Sequence, residues 1–522
     1  MSSGAFVEHA IVGSGPLSYG QRALWFLQQM EPGSAAYNSV HLVRLQTDVD
    51  VPALRRAVQR LTDRHACLRT TFTSRGGEPL QIVHERMEVA FETEDASTWT
   101  EARLQERLSE EAYRPFDLER GPLLRVILFE RSSREYVGFM AIHHIVVDLW
   151  SWALFLRELG ILYTAEKRGT PALLEPAPAS FMDHVRREAE MLAGPEGDRL
   201  WAYWREQLTG ELSVLDLADH SGPASSTYRG ARRSVRLDAR LVRQLKLLGR
   251  ARGATPFATL LAAFQVLLHR YTGQEDLLIG SPQAGRSRDV ARILGYFVNM
   301  VILRGRLSGT VTFNDVLEQA HRAARDAFAH ARFPYALLVE RLHATGISGS
   351  SSLIQAVFTW QKTARLVDTD SLTSFALGEA GGMLELGDLP VESLTFAEQP
   401  TPFDLTLLMA EAGEELVATF EYRTDLFEGA TIDRLLRHFV TLLGAIVRGP
   451  ERPIRELELL GEEERRQLLE EWNATEAPYP RDRTVVELFE EQAAKRPDAV
   501  AAVFEGGQLS YRELNERANR LG

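Results

Sequence analysis

Apolar and polar positions along the chain follow two periods. Ser39 to Leu45 and Glu135 to Ile142 read as strands; in the second, Tyr136, Val137, Phe139, Met140 and Ile142 are apolar and include β-formers. Gly121 to Leu128 is a third apolar run, expected to pair with the strand that ends at Ile142. Helical spacing takes over from Pro16 to Met30, with Ser18 as cap and Leu24 and Leu27 on one face. It returns from Val51 to Arg64 through Leu54, Val58 and Leu61, and from Glu101 to Tyr113. Trp150 to Tyr163 reads as a helix through Trp150, Ala153, Leu154, Arg157 and Ile161, capped by Asp148 or Ser151. Ala165 to Pro178 is rich in Gly, Pro and Ala and reads as a linker between halves. Beyond it, Phe181 to Leu208 reads as helix, with Trp201 and Trp204 as a core stripe, and Asp219 to Tyr228 as a polar loop. The second half, starting near Leu237, has helices after Thr255-Pro256, from Thr312 to Ala329 and from Thr431 to Val447. Its strands are Asp276 to Ile279, Ile354 to Trp360, the run from Phe403, and Leu416 to Tyr422. Strands alternating with helices in both halves predict an α/β protein.

Candidate chemistry sits where the strand of Glu135 to Ile142 gives way to the next helix, in Ala141-Ile142-His143-His144-Ile145-Val146-Val147-Asp148. Two histidines stand at a strand end, a rigid place from which to aim a base, and an acid comes after a short turn. An imidazole titrates near working pH and can take a proton from an attacking amine or hydroxyl, which suits acyl transfer. The acid can pair with an arginine or orient a ring. The plain alternative for such a pair is a structural one.

Composition narrows the classes. At 522 residues, 45% hydrophobic and 25% charged, the chain has room for about three domains of ordinary globular character. A net charge of -13 argues against a general nucleic-acid binder. The single cysteine, Cys67, leaves no internal disulfide framework, suits a reducing cytoplasm, and is expected buried and inert. No uninterrupted apolar stretch of about 18 residues suggests a membrane span. Residues 1–15 read as a flexible leader without signal-peptide features. No metal-ligand set is expected.

His143-His144-Ile145-Val146-Val147-Asp148 resembles the HHxxxD signature of the condensation domains of nonribosomal peptide synthetases, in the chloramphenicol-acetyltransferase-like superfamily. Leu149 stands where that family usually has glycine. Further stretches are similar: Ser18 to Leu27 to SxAQxRLWFL, with Gly20 and Ala23 in place of alanine and arginine; Arg64 to Phe72 to RHxxLRTxF; Pro115 to Arg125 to PFDLxxGPLLR. Pro282 to Arg286, Gly295 to Asn299 with Arg304, Phe333 to Val339 with Ala336 replacing the acid, and Asp425 to Phe427 continue the likeness. The resemblance implies two lobes meeting in a V-shaped pseudodimer with a tunnel between them. It implies a catalytic His144, structural roles for His143 and Asp148, and Arg286 as partner of Asp148. Leu149, Trp150, Ser151 and Asn299 are expected at the tunnel or its loops. His65 is expected to be packed rather than catalytic, and Arg64 and Arg69 to pin neighbouring elements.

The implied reaction is amide formation between an acyl or peptidyl thioester and an aminoacyl group. Each is borne on the 4'-phosphopantetheine arm of a carrier protein, one upstream and one downstream. A thioester is already activated, so orientation of two tethered reactants is the remaining task. Epimerisation is the rival, because Asp148-Leu149-Trp150-Ser151-Trp152 has a DxxSW ending; a non-catalytic recruitment domain is a second. Heterocyclisation is disfavoured by His143, where an acid would stand. The expected boundaries are a leader over 1–15, an N-terminal lobe over 16–175, a C-terminal lobe over 176–460 and a linker over 461–483. Residues 484–522 resemble the opening of an adenylation domain, too short to adenylate anything alone, and that resemblance disfavours a free-standing acyltransferase. Docking of acidic carriers calls for local basic patches; Arg232 and Arg233, or Arg322 and Arg325, are candidates, against the plain reading of a solvated charged face.

Overall fold

The period-two apolar runs of each half pair into separate sheets. The computed structural model describes residues 10–176, 180–219, 227–344, 353–361, 381–394, 396, 398–478 and 480–521. In the first half, Asn38–Leu45, Glu135–His143, Leu124–Ser132 and Ala90–Asp95 lie side by side in that order. Glu135–His143 is flanked by strands on both sides and is buried at every residue but its first, which is why it reads as a continuous apolar run. The expected pairing with Leu124–Ser132 is present and antiparallel. The second half builds a seven-stranded sheet in the order Asn299–Arg306, Asp276–Gln283, Ala356–Gln361, Leu405–Ala412, Glu415–Arg423, Arg229–Leu237, Glu398–Pro400. Each sheet has its own core. The helix Pro256–Thr272 lies in the second core, with every residue from Ala258 to His269 buried, as its nearly unbroken apolar sequence requires.

The halves are not closed units. A hairpin from the second half, Met383–Leu386 and Leu389–Leu394, pairs with Asn38–Leu45 and completes the first sheet at six strands. Leu384, Leu386, Leu389 and Val391 accordingly join the first core. From there the chain crosses back, and Glu398–Pro400 pairs with Arg229–Leu237.

Several expectations need correction. From Ile11 the supposed leader is a strand, Ile11–Pro16, antiparallel to Glu78–His84; residues 1–9 lie outside the described residues. The linker begins later than Ala165, because the preceding helix runs over Leu149–Arg168 and stops at Gly169, whose φ of 64° ends it in a left-handed cap. That helix buries Trp152, Phe155, Leu156, Leu159 and Tyr163 rather than the face through Arg157, which is exposed. Phe181 to Leu208 is two helices, Phe181–Leu192 and Pro195–Gln207, with Pro195 opening the second. In the first helix, Tyr19–Met30, Trp25 packs inward and Leu27 is exposed. Most of the loop expected over Asp219 to Tyr228 lies outside the described residues. Trp204 is buried and Trp201 stacks on Phe333, so that stripe belongs to the core.

His65 is buried with Nε2 2.7 Å from a Glu158 carboxylate oxygen, which also accepts from Arg64 Nε at 3.0 Å. Arg69 donates to the His84 carbonyl, and Cys67 is buried. Residues 460–521 form a second unit, with helices Val485–Lys495 and Tyr511–Leu521 and a hairpin of Val500–Phe504 and Gly507–Ser510. No single helix among the described residues is long and apolar enough to cross a membrane.

Candidate active site

The site begins where Glu135–His143 runs out of sheet. Asn38 lies opposite His143, and one residue later the His144 N–H donates to the Tyr37 carbonyl at 2.8 Å. Successive side chains of a strand point to opposite faces, so the two imidazoles part company. His143 turns inward and is 2% exposed. Its Nδ1 accepts from the Ile145 N–H at 3.1 Å, and the edge of Phe116 lies 6.1 Å away between ring centres. Burial, then the neighbouring His144 and Arg125, push its pKa down to about 3, so it stays neutral. His144 turns toward open space. Its Nδ1 lies 2.6 Å from the Val147 carbonyl oxygen, which can only accept; Nδ1 therefore carries the hydrogen and Nε2 the lone pair.

The ring of Tyr296 meets His144 edge to face, 5.2 Å between centres. Gly20 makes room for that tyrosine: a Cβ there would stand 2.6 Å from a Tyr296 ring carbon. The glycine at position 20 and the tyrosine at position 296 are thus one steric arrangement.

Asp148 begins the helix Leu149–Arg168 as its N-cap, with Oδ1 accepting from the Ser151 N–H at 2.7 Å. The same carboxylate takes Arg286 Nη2 at 2.9 and 3.1 Å and the Phe297 N–H at 3.1 Å. Arg286 also donates to Ser151 Oγ at 2.6 Å and to the Val290 and Ile293 carbonyls, and lies 4.1 Å from the centre of the Phe297 ring. Side chains of the pair are 2% and 4% exposed. Burial lowers the pKa of Arg286, and Asp148 opposes that loss of charge. The pair joins the helix start in one lobe to the Gln283–Phe297 connection in the other. Gly285 permits this connection: its φ is 62°, and a Cβ would strike the Phe297 carbonyl.

His144 opens on a cavity of about 790 Å³ walled by both lobes. Tyr37, Ser39, His41 and Trp152 come from the first sheet and its helix; Val357, Thr359, Thr406 and Glu421 come from the second sheet. Leu149 and Trp150 line it; Leu149 is 42% exposed, and Trp150 Nε1 donates to the Ala291 carbonyl at 2.8 Å. Ser151 is fully buried and spans the lobes, accepting from the Gly295 N–H at 3.1 Å and donating to its carbonyl at 2.9 Å. Asn299 does not line the cavity. Its amide donates to the Ala331 and Phe333 carbonyls and its oxygen accepts from the Tyr335 N–H, each at 2.8 Å, which fixes the turn into the helix Tyr335–Ala344.

Sequence reasoning does not single out Tyr37, His41 or Tyr296. A signal for His41 exists: Ser39 and His41 are polar at alternate positions of a strand that also holds Val40, Leu42, Val43 and Leu45. Each arginine of the two candidate basic patches has a carboxylate beside it. Arg232 pairs with Glu421 at the cavity wall, Arg233 with Asp433, Arg322 with Glu318 and Arg325 with Asp326.

The two lobes share strands and wall a cavity that bears His144. The Condensation domain family model matches residues 12–469. A linear gramicidin synthase protein of Brevibacillus parabrevis is 38% identical over 515 residues, which are 97% of this chain and 6% of that protein. A four-domain nonribosomal peptide synthetase bound to AMP and glycine has the same fold, with a TM-score of 0.85 over 99% of this chain and 40% of that one, at 23% identity. The X-domain from teicoplanin biosynthesis gives a TM-score of 0.73 at 26% identity, over 88% of this chain and 99% of its own. The chain belongs to the condensation-domain family of nonribosomal peptide synthetases. It spans a small part of the length of the gramicidin synthase protein it matches.

Proposed function

We propose that this chain forms an amide bond between a carrier-bound acyl or peptidyl thioester and a carrier-bound aminoacyl group, with His144 at the reacting atoms. The observation that carries this reading is the fixed tautomer of His144: Nδ1 is held by the Val147 carbonyl, leaving the Nε2 lone pair for a cavity walled by both lobes. The amine nitrogen attacks the thioester carbonyl and its C–N bond forms. Nε2 takes the proton that the nitrogen sheds, and the tetrahedral centre collapses with loss of the thiolate. The imidazolium then returns that proton to the thiolate, so one amide and one free pantetheine thiol result. Holding both reactants in one chamber supplies the larger part of the acceleration. His143 and the Asp148–Arg286 pair hold the loop and touch no reacting atom.

The partners would be an upstream donor carrier protein and a downstream acceptor carrier protein, with pantetheine arms as substrate carriers. Residues 484–521 are read as the start of an adenylation domain. A buried Cys67, its thiol pushed up to about 12 chiefly by burial, fits a reducing cytoplasm.

The test uses two loaded carriers. The expected product is a dipeptidyl thioester on the acceptor carrier, and His144→Ala should cut its formation by roughly 10²–10⁴-fold with an unchanged melting temperature. Full activity of His144→Ala would falsify the role given to that ring. Loss of α-carbon stereochemistry without a dipeptidyl product would replace condensation by epimerisation.

A further inference from the structure

Within the cavity, the ring of His41 has no hydrogen-bond partner among the described residues, although it is 9% exposed and lines the space. Its nitrogens are not sealed inside protein, so a hydrogen-bonding group in the cavity can reach them. The imidazole packs against the Trp152 ring at 4.2 Å between centres, and Trp152 is itself fixed by donating to Ser39 Oγ at 2.7 Å. Burial, then Arg232, push the His41 pKa down to about 4, so near neutral pH the ring offers one N–H donor and one lone pair.

Charged side chains around the cavity have partners. Half-buried Arg232 pairs with Glu421, to which Gln399 also donates at 3.1 Å; buried Asp148 pairs with Arg286, and exposed Arg292 with Glu175. Arg157, at the cavity rim, is exposed to solvent. An anionic group beside His41 would compete with Glu421 for Arg232. A neutral group that gives or takes a hydrogen bond meets a ready partner.

We propose that His41 is a specificity-determining residue of this cavity, reading a neutral hydrogen-bonding group, a hydroxyl or a carboxamide, on the side chain of an acyl or aminoacyl substrate. This rests on the condensation reading, since it takes the occupants to be pantetheine-borne acyl groups. The physical basis is asymmetric: a side chain lacking the polar group leaves His41 buried and unpaired, whereas one possessing it completes the site.

The experiment measures binding of stable pantetheine amides by titration calorimetry on the whole chain, in matched pairs: threonyl against valyl, and asparaginyl against leucyl. The wild-type protein should bind the polar member of at least one pair about tenfold more tightly. His41→Leu should erase that ratio, and His41→Gln, which keeps a donor and an acceptor, should retain part of it. The wild-type ratio needs no variant, so a misfolded His41→Leu leaves the inference testable. Equal affinities in both pairs, a ratio that survives His41→Leu, or failure of every member to bind would overturn it. The same groups presented as carrier thioesters test turnover separately: binding without preference sinks this inference alone, while selective binding without amide formation sinks the condensation reading.

Discussion

A buried ion pair holds the loop after His144, and its worth lies in what happens when one member is lost. Arg286→Met would leave the Asp148 carboxylate 3% exposed with backbone N–H donors in place of a cation. The expected loss is about 3–5 kcal/mol of stability, read from urea unfolding. Adding Asp148→Asn to that variant should recover part of the loss, because the stranded charge is then gone. At this scale the sequence is informative where a motif names both partners, as for Asp148 and Arg286. It is silent where a residue acts through a neighbour distant in the chain. Nothing near Gly20 announces the Tyr296 ring that occupies the space above it, and Asn299 shows a side chain of the right motif serving a turn rather than the cavity.

Among elements, the helix Leu149–Arg168 and the hairpin of Met383–Leu394 meet without a gap. Gly160 lies against the hairpin backbone: a Cβ there would stand 2.7 Å from the Leu386 carbonyl carbon and 2.8 Å from the Gly387 nitrogen. Thr164 accepts from the Asp388 N–H at 3.0 Å, and Arg168 grips the Asp388 carboxylate with two bonds of 2.7 and 2.8 Å. Gly160→Ala should therefore push the hairpin outward, cost about 1–3 kcal/mol, and raise hydrogen–deuterium exchange at Met383 to Leu394 more than at Glu135 to His143. Capping residues and apolar period make the first of these elements readable: of the two caps the sequence offers, Asp148 and Ser151, it is Asp148 that starts the helix. The phase of its buried face is not readable, because apolar residues surround the helix and several stripes fit equally well. Nor does alternation along a strand name its partner, and a strand pairing across more than 300 residues leaves no local trace.

For the whole molecule, acid should be the weakness. Burial holds His41 and His184 at about 4 and His143 at about 3, all below the usual 6.5. Below that value the unfolded chain takes up three protons that the folded chain refuses, so stability present above about pH 6.5 drains away toward pH 4. Glu188 works the other way. Burial raises its carboxyl to about 7, so its folded form holds a proton that the unfolded chain has released between 4.5 and 7. Three imidazoles outweigh one carboxyl, and melting followed from about pH 8 to about pH 5 should show a midpoint that falls below about pH 6.5. His41→Gln should make that decline shallower.

The strands that leave one half to complete the sheet of the other also set the rules for making chimaeras. A splice placed in the Gly169 to Pro176 stretch would strip Asn38–Leu45 of its outer neighbours and leave an unpaired edge open to aggregation. The piece that can be transplanted whole runs from Ile11 through Leu459, with both halves drawn from the same parent.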